Sequence, residues 1–262
     1  MDALLETEPE TPAAARALVA AKVVSLLGFP LIPMAVYLSG RHPGLAGVSS
    51  AEQIERLAAQ ATAWAQVHFA FSVGGFLALA AILVLRTEVA KKAPVLWTNA
   101  AAAVGVIGAV IFTGTVLMEV KVIPALSRAC VASAGCRTAE NAVFTDAFAD
   151  EGWRVLPGLT AGGRTMMVGV ALLAMIGFAY GSLRTWEAAA IFGGAVLEIG
   201  TNTGLHQWGN FSPAQGMPAL AAVAILVGSL GVAQRLIWPV KPDIVDPAPM
   251  ETAPAAPPAE PG

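Results

Sequence analysis

Glu198, Asn202 and His206 recur every four residues in the run Glu-Ile-Gly-Thr-Asn-Thr-Gly-Leu-His, and side chains four apart share one face of a helix. A carboxyl, an amide and an imidazole in line, spread over about 12 Å at a rise of ~1.5 Å per residue, are the parts of a proton path or of one polar wall of a cavity. Gly200 and Gly204 make a smooth strip beside them where a helix or ligand can come close. His68 and Glu119 stand in two other apolar runs, at depths that place them in the layer of His206, with Asn202 a turn below.

Imidazole and carboxylate also suit zinc, copper or non-haem iron. His68 and His206 from facing helices could instead take both axial positions of a haem b, with Glu119 alongside. No His-x3-His, Glu-x-x-His or His-Glu-x-x-His pairing occurs, so such a site needs assembly by tertiary packing alone. Nucleophile motifs and a Gly-rich phosphate loop are absent from the sequence. Three readings follow. The first is an outward-facing polar cavity of Glu198, Asn202 and His206 serving proton-linked or small-molecule transport. The second is a metal- or haem-binding redox protein built on His68, His206 and Glu119. The third is a structural or accessory membrane subunit whose polar groups are satisfied by neighbouring helices.

The elements that must position these groups follow from where charge is missing. Of 262 residues, 56% are hydrophobic and 13% charged, against about a quarter charged in a soluble domain. No Asp, Glu, Lys or Arg occurs at 23–40, 57–85, 93–118, 165–183 or 199–234, and about 20 apolar residues cross a bilayer. This excludes a disordered chain and a soluble enzyme, and a net charge of -3 implies no nucleic-acid partner. The expected fold is all-α: an integral membrane bundle of six spans at about 18–39, 62–86, 94–119, 165–183, 186–207 and 217–238. The last uncharged run divides at Gly209-Asn210-Phe211-Ser212-Pro213, turn-formers that would leave backbone groups unpaired in lipid. Trp64, Trp97, Trp186, Trp208 and Trp238, with Tyr37 and Tyr180, fall at span ends as interfacial anchors. Pro30 and Pro33, with Gly28 before them, predict a kink with freed carbonyls in the first span. The sixth span, without an ionisable side chain before Arg235, reads as a lipid-facing wall.

Cytoplasmic flanks are enriched in Lys and Arg. Arg86, Lys91 and Lys92, then Arg184, then Arg235 and Lys241 all fall on one face, with Arg16 and Lys22, which puts both termini in the cytoplasm and the protein in the plasma membrane. Cys130 and Cys136 then lie in the extracellular connection 120–164, where a disulfide persists. Residues 1–17 form an acidic tail with the wrong sign for a signal peptide. In 239–262, 8 of 24 residues are proline, a disordered tail able to dock a protein partner in polyproline II form. Two short outer helices are expected, one capped at Ser49-Ser50 and carrying Ile54, Leu57, Ala58 and Ala61, the other capped by Thr138. The notches Gly74-Gly75 and Gly193-Gly194 require nothing beyond close helix packing.

Overall fold

The computed structural model describes residues 11–39, 50–132, 157–202 and 216–238. Seven helices are found there: α1 (Pro12–Ser39), α2 (Ser50–Ala59), α3 (Ala61–Ala90), α4 (Val95–Ala132), α5 (Pro157–Ala179), α6 (Thr185–Asn202) and α7 (Gly216–Ile237). Five are long and apolar enough to cross a membrane, namely α1, α3, α4, α5 and α7. The 18 residues of α6 rise about 27 Å, just short of the ~30 Å hydrocarbon core, and the segment that would complete the crossing lies outside the described residues. The outer surface is apolar: Phe69, Phe76, Leu83, Leu96, Met118, Phe178 and Leu220 are all more than half exposed. Large side chains turned outward along every long helix need a lipid solvent.

The six long helices form a ring. Each packs on the next in the order α1, α3, α4, α5, α6, α7, and α7 returns to α1. The helix expected as a lipid-facing wall, α7, has such a side in exposed Leu220, Val223, Val227 and Leu230, and a second side, with Ala221, Ile225, Val232 and Ala233, buried in the core. Neighbours run antiparallel, as Gly28 of α1 faces Leu77 of α3 while Gly74, a turn back on α3, faces Ile32 and Pro33. The tightest seam joins α4 to α5. A Cβ on Gly108 would overlap the Met166 backbone, and one on Gly169 would overlap Gly105, so only glycine lets these backbones touch.

One end of the ring is tied by hydrogen bonds between turns. Lys92 Nζ donates to Gly181 O (3.1 Å), Ser182 Oγ to Val89 O (3.2 Å) and Arg235 Nη1 to Ser182 O (3.0 Å). Gly181, at φ 66, takes the left-handed turn that returns the N–H groups of Ser182 and Leu183 to Gly177 O. Arg235 Nη2 reaches Glu187 Oε2 at 2.8 Å, and the Arg184 N–H donates to the same oxygen at 2.9 Å. The α3–α4 turn, the α5–α6 turn and the end of α7 thus share one face, as the Lys/Arg grouping required. Since α1 runs antiparallel to α3, Arg16 and Lys22 lie toward that face too. Exposed Trp97, Tyr180, Trp186 and Trp238 surround it.

At the far end the structure departs from the sequence expectation. The third span, placed to end at 119, continues as helix through Pro124 to Ala132, and the next begins at 157 rather than 165. Thus 120–164 is helical at both described ends. The expected helix after Ser49-Ser50 is present as α2, which packs on the α4 extension and buries Leu57 with Trp64 and Ile123. Of the tail expected at 1–17, the part from Pro12 on is instead the start of α1. The helix expected after Thr138, the tail from 239 on and the turn at Gly209–Pro213 lie outside the described residues. So does Cys136; Cys130 is buried on the last turns of α4, and no free cysteine occurs among the described residues.

Candidate functional site: a cavity inside the ring

A partly open cavity of ≈ 160 Å³ lies inside the ring, and all six long helices reach its wall. Phe29, Pro30 and Pro33 come from α1, His68, Phe71, Gly74 and Gly75 from α3, Phe112 from α4, Gly163, Met166 and Met167 from α5, Glu198 from α6, and Pro218, Ala222 and Ile225 from α7. These positions all lie in the half of the ring away from the turn face. In the other half large buried residues fill the same space: Ile82, Leu85, Val89, Leu173, Leu183 and Ile191. On the open side Gly74, Gly75, Gly163 and Ala222 leave room between the larger side chains, and on the other side bulky aliphatic residues close it.

α1 remains helical through both prolines. Proline lacks an N–H, so the carbonyls of Leu26 and Phe29, four residues before Pro30 and Pro33, lose their usual helical donors. Phe29, Pro30 and Pro33 lie on the cavity wall.

His68 is 3% exposed and held on every side. Its ring stacks on Trp64 at 3.9 Å and 22°, and meets Phe71 edge-on at 6.1 Å. Nδ1 lies 2.9 Å from Trp64 O; a carbonyl only accepts, so Nδ1 carries a hydrogen. Nε2 lies 3.0 Å from Oε2 of Glu119, also 3% exposed. That oxygen makes no in-line hydrogen bond among the described residues, so the contact is Coulombic. An imidazole and a carboxyl set face to face complement each other in polarity, which is why an apolar interior tolerates the two together. His68 is on the cavity wall and Glu119 is not, so the imidazole stands between the carboxyl and the cavity.

Half-buried Glu198 lines the cavity from α6, which neighbours α5 and α7 in the ring, whereas His68 comes from α3, between α1 and α4. The two groups therefore face one void from opposite walls. Asn202 ends α6 as helical backbone whose side chain is not described, and His206 lies beyond the described residues. Of the residues singled out from sequence, the structure joins His68 to Glu119 directly and puts Glu198 on the same cavity. No group of three His, Cys, Asp or Glu side chains able to hold a metal gathers among the described residues.

Sequence reasoning missed Trp64. It is not an interfacial anchor but 5% exposed, the lid on the imidazole. The signal was present: Trp64, His68 and Phe71 recur at four and three residues, one helical face. Glu187 stands three residues after Arg184 in the first turn of α6, yet its closest charged partner is Arg235, 48 residues on. Comparison with known proteins finds no matching family model, no matching curated protein and no matching solved structure.

Proposed function

We propose that this is a six-span plasma-membrane carrier with both termini in the cytoplasm, moving a small molecule through the ring cavity in step with a proton. The observation that supports it most is the buried His68–Glu119 pair, imidazole and carboxyl 3.0 Å apart in apolar surroundings, with His68 on the wall of the cavity. Polar residues at membrane depth are costly and tend to mark ion and proton paths. In this reading the sixth crossing is completed by the chain after Asn202, and His206 and Asn202 extend the polar wall from Glu198 toward the outside. The Lys- and Arg-bearing turn face is cytoplasmic under the positive-inside bias.

The test uses proteoliposomes loaded with a pH-sensitive dye and challenged with amines, amino acids, organic acids and sugars in turn. One class should move protons across the membrane, and Glu119→Gln and His68→Gln should abolish that movement while the class still binds. Proton movement undiminished in Glu119→Gln, or none with any class, overturns the proposal.

A second reading has its own support. An imidazole whose Nδ1–H is fixed on a backbone carbonyl is oriented as metal-ligating histidines commonly are, leaving Nε2 for a metal beside the Glu119 carboxylate. His206 would then supply the further ligand, to a metal or a haem. Metal analysis and the absorption spectrum of purified protein, before and after His68→Ala, separate the two readings: stoichiometric metal or a haem band lost in the variant would favour this one.

A further inference from the structure

We infer that an open cleft between α3 and α4, at the end of the ring away from the turns, holds the headgroup of an anionic phospholipid, its phosphate clamped by Lys121 and Arg128. The inference does not rest on the carrier reading and needs only that the ring sits in a bilayer. Thr62 and Ala65 of α3 form one side of the cleft, and Val120, Lys121, Pro124 and Arg128 of α4 the other.

Depth comes from counting along α4. Trp97, exposed beside the turn face, marks one interface. Lys121 lies about 36 Å further along the same helix at ~1.5 Å per residue. That is beyond the ~30 Å of hydrocarbon and within the ~40–45 Å of the whole bilayer, which is the layer of headgroups. Arg128 follows two helical turns later on the same face, and its long side chain can reach back.

The charge of the occupant follows from the polar groups. Lys121 and Arg128 are exposed, and neither makes an ion pair or hydrogen bond among the described residues. No Asp or Glu is among the described residues lining the cleft, and Glu119, next to Val120, is turned inward to His68. Two cations without a carboxylate are balanced by a phosphate held between ammonium and guanidinium. Pro124 has no N–H, so the carbonyl of Val120, four residues back, lacks its helical donor. A headgroup ending in hydroxyls supplies that donor, whereas ethanolamine or choline would bring a further cation to the two present. Phosphatidylglycerol meets both demands.

The apolar surface beneath selects a lipid over a soluble phosphate ester. Phe69 on α3 and Leu117 and Met118 on α4 stand one turn deeper than Ala65 and Lys121, and all three are exposed. Acyl chains hanging from the clamped phosphate cover them, and a soluble ester would leave them bare. Basic pockets at the membrane surface bind lipid headgroups in this way.

The test is native mass spectrometry of purified full-length protein, released from micelles holding equal amounts of phosphatidylglycerol and phosphatidylethanolamine with the same chains. Wild type should retain phosphatidylglycerol about twenty-fold over the other lipid, and Lys121→Gln and Arg128→Gln should each lower that preference about five-fold. Arg16→Gln removes the same charge from the exposed start of α1 at the other end of the ring and should leave the preference unchanged. Equal retention of the two lipids by wild type overturns the inference without any variant. So does a preference that neither cleft variant lowers, or that Arg16→Gln lowers as much as they do. Displacement of the lipid by an equal concentration of glycerol 3-phosphate would make a soluble phosphate ester the occupant and overturn the lipid assignment.

Discussion

Removing the Arg235 guanidinium should be among the most destabilising single changes in the ring. Glu187 is fully buried, and its Oε2 accepts from Arg235 Nη2 at 2.8 Å and from the Arg184 N–H at 2.9 Å. The Arg184 side chain contributes little, since its Nε is 4.0 Å from Oε1. Arg235→Ala deletes a charge-assisted bond of about 1.5–3 kcal/mol and the Nη1 donation to Ser182 O. It also strands a buried charge, for which the usual cost is about 3–5 kcal/mol. Two effects reduce the figure: Arg235 is one quarter exposed, so water can enter where it stood, and interhelical bonds measured inside membranes reach only about 1.7 kcal/mol. Because Glu187 has no exposed surface, the stranded charge should outweigh those reductions, giving about 3 kcal/mol for Arg235→Ala. The double variant Glu187→Gln/Arg235→Met strands no charge and should cost about 1 kcal/mol. Unfolding in mixed detergent micelles, followed by circular dichroism, gives both values and hence the coupling. An Arg235→Ala variant within about 0.5 kcal/mol of wild type would refute the argument that this ion pair closes the turn face.

Gly108→Leu and Gly169→Leu should prevent the α4–α5 seam from forming and greatly lower the yield of folded protein, because the obstructing atoms are backbone. Gly193→Ala and Gly114→Ala, which meet nothing within 4 Å, should be neutral or gain up to about 1 kcal/mol of helix propensity; thermal unfolding in detergent separates the two classes. Single cysteines at Lys92 and Gly181 should react with an impermeant thiol reagent from the same side of the membrane, and one at Ser212 from the opposite side. Labelling of all three from one side would sink the six-span topology. Cys130 and Cys136 should be bridged, seen as one cross-linked peptide in a non-reduced digest, and two alkylated thiols there would contradict an outward-facing connection.

The long helices were legible because a charge-free apolar run of 18 residues or more is long enough to cross a bilayer and too greasy to stay in water, and the shared face of the turns because Lys and Arg are concentrated there. The α4 extension was harder to read. Lys121, Pro124 and Arg128 resemble a loop, yet Ile123, Ser127 and Cys130 recur at helical spacing and are buried against α2 and α3. His68 and Glu119 could be assigned to one layer by counting residues along α3 and α4. Their contact depends on how two helices rotate about their axes, and that is set by where Gly75 admits Thr113 and Phe112. No local pattern connects Glu187 with Arg235, since α6 and α7 must first pack as an antiparallel pair. The packing of α7 on α6 and α1 makes it a cavity wall, which its lack of charge had concealed.

The division of the ring into an open half and a filled half makes a carrier's requirement concrete. For a solute in the cavity to leave by the turn face, the layer of Ile82, Leu85, Leu173 and Ile191 must part, and α6 and α7 must separate where Arg235 holds Glu187. Packed interiors shift between discrete arrangements rather than stretch, so the ion pair should bias which arrangement is populated. Ala222 lines the cavity on α7 and is 5% exposed, so a cysteine there reports access to it. In a background without Cys130 and Cys136, Ala222→Cys should be labelled from the side opposite the turns and slowly or not at all from the turn side. Glu187→Gln keeps an acceptor for the Arg184 N–H but removes the attraction to Arg235, which should raise labelling from the turn side several-fold. Unchanged turn-side labelling in Glu187→Gln would mean that the pair only holds the fold together, and the gate would then have to be sought in the aliphatic layer above it.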